Sequence, residues 1–294
     1  KCGRNRFPRR FEQNNGQNGA DGIMAENCII ITGATGYLGK AFINELVYSK
    51  ELKSGLESGE TSLVLTGRSE EKLTALKSGI PFRAEIFTKA MDLSSEVSRG
   101  EFFEALSARG ERVKMLINVA GADIQKAFSE YTQEKLCFQC RVNFEAAVAL
   151  CRFALERRTE ELEILNISSV SGIYPMPYFA IYSATKAALT AFSLALCEEM
   201  KGKGVRVTAV LPGAMPTRAD IRAQIKGQGI WGRLAAKSPD FVAEKSLKAV
   251  SRNRGKIIPG FWNKAMAAGT KFIPQPWKLR FIARRWSKIS KDAF

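Results

Sequence analysis

From Cys28 onward, short runs of aliphatic and β-branched residues alternate with longer stretches whose apolar positions recur every three or four residues. The runs at 28–32, 62–66, 85–91, 113–118, 163–168 and 205–211 are nearly continuous in apolar character, as strands buried on both faces require. Those at 37–49, 69–77, 95–109, 132–157 and 180–201 carry the helical period. Regular alternation of the two predicts an α/β fold, a doubly wound parallel sheet flanked by helices and joined by right-handed crossovers. A last short strand is expected at 256–258, before the Pro259-Gly260 turn.

The pattern changes after residue 262. Leu279, Ile282, Trp286 and Ile289 recur on one helical face, and Lys278, Arg280, Arg284, Arg285 and Lys288 lie away from it, which predicts a basic amphipathic helix. Such a helix can dock on the domain, cover a site mouth, mediate dimers, or make peripheral contact with an anionic membrane surface through 277–290. The first 23 residues are rich in Arg, Asn, Gln and Gly and lack an apolar core segment, so 1–23 is expected to be a disordered extension, with Met24 a candidate natural start. The expected organisation is therefore one folded domain over 24–262, followed by a basic extension over 263–294.

Composition narrows the function. With 294 residues, 45% apolar and 25% charged, the chain can bury one sizeable core. No continuous apolar run approaches the roughly 20 residues that span a bilayer, so a soluble or peripheral protein is expected. Six cysteines, at 2, 28, 137, 140, 151 and 197, are scattered through apolar stretches, which fits reduced thiols in a cytoplasmic compartment. Cys137 and Cys140 form a C-x-x-C without a second pair, so they are read as core residues and no metal site is expected. There is no histidine. Ser-His-Asp and Cys-His catalysis are thereby excluded, and proton transfer falls to Tyr, Lys, Asp or Glu. The net charge of +16 is concentrated at the ends, where 264–294 carries eight Lys or Arg against one acid. No base-reading or stacking module accompanies it, so nucleic acid is not an expected partner.

Tyr182 stands four residues before Lys186 at the start of a predicted helix, so the two side chains share a face. An ammonium beside a phenol favours the phenolate and brings a group of ordinary pKa near 10 toward neutral pH. Ser169 follows the strand at 163–168 and can hold a carbonyl oxygen. A Tyr and a Lys at this spacing also arise by chance, and context weighs the pair. The turn Thr32-Gly33-Ala34-Thr35-Gly36-Tyr37-Leu38-Gly39 follows the first strand and opens the first helix, a place where backbone N–H groups meet a pyrophosphate. Arg68 follows the second strand, where an acid would bind a ribose 2′-OH and an arginine accommodates a 2′-phosphate. It points to NADPH, with a solvated strand-capping arginine as the alternative.

Taken together, these motifs resemble those of the short-chain dehydrogenase/reductase family over residues 28–260. The turn at 32–39, Asp92-Leu93, Asn118-Val119-Ala120-Gly121, Asn143, Ser169, Tyr182, Lys186, Pro212-Gly213 and Thr217 occur in the family's order. The resemblance implies a Rossmann-type single-domain fold and an NAD(P)(H)-dependent enzyme, NADP(H) preferred and NAD(H) accepted. It implies that Tyr182 protonates the carbonyl oxygen, Ser169 binds it, Lys186 holds the nicotinamide ribose and lowers the Tyr182 pKa, and Asn143 keeps a water behind the lysine. Gly33, Thr35, Gly36, Tyr37, Leu38 and Gly39 would cradle the dinucleotide. Arg68, Asp92, Leu93, Asn118, Ala120 and Gly121 would flank its adenosine side, and Pro212, Gly213 and Thr217 its nicotinamide end. Glycines at 33, 36 and 39 have the extended branch's spacing, but too little chain follows Leu211 for that branch. Val119 replaces the family's second Asn. Family members commonly form dimers or tetramers, for which the helices at 132–157 and 180–201 are candidates. Reduction of an apolar ketone or aldehyde is the expected function, suggested by Tyr174, Met176, Pro177 and Tyr178 and by the apolar positions Met215, Ile221, Ile225, Ile230, Trp231 and Leu234. The alternatives are a non-catalytic NADPH sensor or scaffold, and a membrane adaptor acting through the C-terminal helix.

Overall fold

A computed structural model of the chain describes residues 25–287 except 49, 81–84, 218 and 228. The expected extension over 1–23, and Lys288 and Ile289, lie outside the described residues. In the first strand, β1 (Asn27–Thr32), Ile29 and Ile31 enter one apolar cluster and Cys28 and Ile30 another. A strand whose alternate side chains are buried on both faces needs helices on both. It pairs in parallel with β2 (Thr61–Gly67) and β4 (Arg112–Asn118). With β3 (Ile86–Ala90), β5 (Arg158–Ile167), β6 (Val205–Val210) and β7 (Lys256–Ile257) it forms a seven-stranded sheet ordered β3-β2-β1-β4-β5-β6-β7.

One face is covered by α1 (Tyr37–Tyr48), α2 (Lys50–Glu57), α3 (Glu70–Ser78) and, further along the chain, Pro239–Val250. The other is covered by α4 (Glu96–Arg109), α6 (Ala146–Glu156) and α7 (Ala180–Glu199), with α5 (Gln133–Cys140) packed against α7. The remaining helices are α8 (Ala219–Gly227), α9 (Gly229–Ala235), α10 (Pro239–Val250), α11 (Phe261–Gly269) and α12 (Gln275–Trp286). The single-domain α/β architecture expected from the alternation is present.

Several elements differ from the sequence reading. The helix expected over 132–157 is α5 and α6 joined by a five-residue π turn, Arg141–Glu145, which carries the buried Asn143. Such a turn passes through an apolar periodicity unseen because it inserts no breaker. α10 was not anticipated, although Ser238-Pro239-Asp240 is a helix-start signal: the Ser238 hydroxyl accepts from the Phe241 N–H at 3.2 Å with proline at the first turn. By length and composition α7 would suffice to cross a bilayer, with a mean hydropathy of 1.3, yet it buries Leu189, Ser193 and Leu196 in the body of the domain. The boundary expected at 263 falls inside α11, where Asn263 is buried and donates to the Ala235 and Pro259 carbonyls at 3.0 and 2.9 Å. α12 docks on the domain, its buried Ile282 meeting Met176 and Phe179.

Candidate active site

The strand order reverses between β1 and β4, and the register brings Thr32 level with Thr66 and with Asn118. At such a switch point the loops leaving the strand ends part and leave a crevice. The Thr32 hydroxyl accepts from the Val119 and Ala120 N–H groups at 3.1 and 3.2 Å, which fixes the loop after β4 against the end of β1. The crevice has a volume of about 400 Å³. Its floor is the turn entering α1, with Gly33, Thr35, Gly36, Tyr37 and Leu38. Arg68, Asp92 and Leu93 line one end, Ala120, Gly121 and Asp123 the other, and Met215 and Thr217 reach in from the loop after β6.

A dinucleotide fits this lining. The first N–H groups of α1 have no intrahelical acceptor and face the crevice, as an anionic pyrophosphate requires. Gly39, one turn into the helix, lets the chain close on itself, because a Cβ there would stand 2.3 Å from the Gly33 carbonyl oxygen. Arg68 is exposed at the end of β2, and Arg141 of the π turn shares an adjoining recess with it, a second cation the sequence reading did not identify.

Six expected cofactor residues do not line the crevice: Tyr182 and Lys186 lie beyond its end, and Gly39, Asn118, Pro212 and Gly213 lie behind its walls. Asn118 points beneath it, its amide donating to Asn166 at 2.8 Å, and Asn166 donates to Ser193 at 2.9 Å. Gly39 lies behind the turn, Gly213 packs against Asn263, and the Pro212 carbonyl accepts from the Val170 N–H at 3.1 Å. They shape the loops that line the crevice.

The proton-bearing residues gather beyond the end formed by Gly121 and Asp123. Ser169 caps a single 3₁₀ turn, Val170–Gly172, with its hydroxyl accepting from the Ser171 N–H at 3.0 Å. That turn packs on the backbone of Lys186 so tightly that a Cβ on Gly172 would lie 2.7 Å from the Lys186 carbonyl carbon. Lys186 is buried, donates to the Ile167 carbonyl at 2.8 Å and stands 5.8 Å from the Tyr182 ring centroid. Phe179 stacks on the Tyr182 ring at 4.3 Å. The Asn143 amide clamps Ala122 from both sides, accepting from its N–H at 2.7 Å and donating to its carbonyl at 2.9 Å.

The electrostatics depart from the expected direction. Burial pushes the Tyr182 phenol up to about 12, the Asp123 carboxylate raises it further, and a hydrogen bond with Ser169 opposes them. Burial brings Lys186 down to about 8, with Asp123 acting the other way. Desolvation outweighs the attraction that helical spacing promised, because both groups leave water together. Asp123 carried no sequence signal: it lies in a loop, outside every motif, and reaches Tyr182 and Lys186 only through the fold.

A parallel sheet in this order, with a glycine-rich turn at its switch point, is the architecture of a dinucleotide-binding α/β protein. Residues 27–226 match the family model described as short chain dehydrogenase, and the chain belongs to that family. Its similarity to the bovine (Bos taurus) very-long-chain 3-oxoacyl-CoA reductase is 33% identity over 247 residues, covering 78% of this chain and 71% of the relative. In fold it resembles a 7β-hydroxysteroid dehydrogenase, with a TM-score of 0.73, 23% identity and coverage of 87% and 96% of the two chains. It also resembles an angucycline C-6 ketoreductase solved with bound NADP, with a TM-score of 0.65, 19% identity and coverage of 81% and 96%. The protein is thus an NAD(P)-dependent dehydrogenase or reductase acting on CH–OH and C=O groups.

Proposed function

We propose that this enzyme reduces a ketone or aldehyde bearing a long apolar substituent, with NADPH preferred over NADH and Tyr182 as proton donor. The observation that carries the reading is the meeting of Ser169, Tyr182 and Lys186 beside the Gly121–Asp123 end of the crevice. A phenol held at about 12 stays protonated across neutral pH, the state that delivers a proton to an oxygen gaining negative charge. Ser169 holds that oxygen by hydrogen bonding as the charge develops, and Lys186 offers its ammonium to ribose hydroxyls. The dinucleotide, when bound, supplies the hydride. Asn143 supports the lysine side by fixing Ala122 and by donating to the Thr185 hydroxyl at 3.2 Å.

Arg68 and Arg141 favour a 2′-phosphate at the adenosine end. An apolar substrate is favoured by Met176, Phe179 and Tyr174, which adjoin Tyr182, and by the 3-oxoacyl-CoA reductase activity in the bovine relative's name. A homo-oligomer is favoured by Ala184, Ala187, Ala191 and Ala195, which line the exposed side of α7.

The test is a panel of ketones, aldehydes and 3-oxoacyl thioesters followed by NADPH absorbance, with NADH in parallel. Turnover should favour NADPH, and kcat/KM should rise about fourfold for each added methylene that is buried. Tyr182→Phe should lose ~10²–10⁴-fold in kcat while NADPH still quenches tryptophan fluorescence. Full activity in that variant removes the mechanism.

A further inference from the structure

Twelve large apolar side chains are well exposed among the described residues, and seven of them lie between 261 and 281. Elsewhere they occur singly, which is ordinary for a protein surface. Here they crowd α11, the turn after it and α12: Phe272 is 88% exposed, Phe261 74%, Trp277 67% and Phe281 64%. The same stretch, 261–287, holds six Lys or Arg and no acid. Lys278 donates to the Thr270 carbonyl at 3.0 Å and ties α12 back to the end of α11.

α12 thus has two apolar sides. Ile282 and Trp286 face inward, Ile282 buried and Trp286 stacked on Phe179 at 6.1 Å, next to Tyr182. Trp277, Phe281 and Arg284 follow one another at helical spacing on the outward side, with Arg280 beside them, and all four are exposed. Docking on the domain accounts for the first side and leaves the second in water.

We propose that the outward surface of α11 and α12 seats the protein on an anionic lipid surface. Aromatic rings flanked by guanidinium and ammonium groups suit the boundary between acyl chains and headgroups, where the rings bury apolar area and the cations meet lipid phosphates. The charge selects this occupant. Two copies meeting through this patch about a two-fold axis would set six cations against six, with no acid in the stretch to offset them. The inward side of the same helix borders Tyr182, so a docked enzyme presents its candidate active site beside the lipid phase. The proposal does not depend on the reaction assigned above, and its test reads binding and turnover separately.

The full chain is sedimented with phosphatidylcholine vesicles, with or without phosphatidylserine, at low and high salt. It should pellet with the anionic vesicles, release as salt rises, and stay in solution with phosphatidylcholine alone. Phe272→Ser/Trp277→Ser/Phe281→Ser should cut vesicle binding at least about tenfold, and Arg280→Gln and Arg284→Gln about fivefold each. Each variant should reduce a water-soluble ketone as fast as the parent, which certifies the fold. Failure of the full chain to pellet with anionic vesicles at low salt overturns the proposal, as does a triple variant that binds like the parent. Conversion of an oligomer to monomers by the triple variant, or tighter binding to single-stranded RNA than to vesicles, also overturns it, because the patch then belongs to another partner.

Discussion

At the residue scale, Tyr182 and Lys186 show how a fold overrides a local rule. Four-residue spacing promises a phenol made acidic by its neighbour, but burial raises the phenol and lowers the amine. Lys186 titrates at about 8 in the fold against 10.5 for the free side chain. Between those values the unfolded chain holds a proton the folded chain has released, so stability rises with pH. The cost of burying the cation is complete below about 8 and gone above 10.5. Lys186→Met should abolish that rise, worth about 3 kcal/mol in the parent, and should also lose turnover. Urea melts at pH 7 and pH 10 check it, and a variant with the parent's pH dependence contradicts the assignment. Tyr182 has the opposite sign: its folded value is raised from 10 to about 12, so its contribution is present below 10 and lost as pH climbs through 12.

At the element scale, the site depends on contacts between backbones that the hydrophobic pattern does not register. The 3₁₀ turn bearing Ser169 lies on α7 because Gly172 has no side chain, and a Cβ there would meet the Ala187 nitrogen at 2.8 Å. Gly172→Ala should cost about 1–3 kcal/mol and shift Ser169 away from Tyr182. Its kcat should fall several-fold more than its NADPH affinity, as steady-state kinetics and fluorescence titration would show. Equal losses in both would mean that the turn does not set catalytic geometry. The strands were legible because each is a short apolar run, and α1, α3, α4 and α7 because their period is regular. The π turn at 141–145 was not legible, since it changes which face Asn143 joins without changing composition.

At the scale of the whole molecule, two exposed surfaces carry the proposed contacts with a second copy and with lipid. The alanine line on α7 is exposed, apolar and free of charge over Ala184, Ala187, Ala191 and Ala195, and close approach of a second α7 would bury it. Ala187→Glu/Ala191→Glu should lower the sedimentation coefficient to that of a monomer without shifting the monomer's melting temperature. An unchanged oligomer would place the interface elsewhere. The aromatic-basic surface of α11 and α12 lies on a separate part of the chain, and its exposure was only half visible in the sequence. The helical period places Leu279, Ile282 and Trp286 on one side, which in the fold holds the buried Ile282, but it assigns no role to Trp277 and Phe281, whose exposure follows from the docking direction of α12.

Alternating apolar runs and helical periods, the glycine turn at 33–39 and the order of the motifs were sufficient to specify a doubly wound sheet, a crevice at its switch point and the family, because each depends on residues close in sequence. Tertiary structure alone decided how deeply Tyr182 and Lys186 are buried, that Asp123 acts on both, that Asn118 turns under the crevice, and which side of α12 meets Phe179. Those outcomes depend on desolvation and packing among residues far apart in the chain, quantities that a local pattern does not contain.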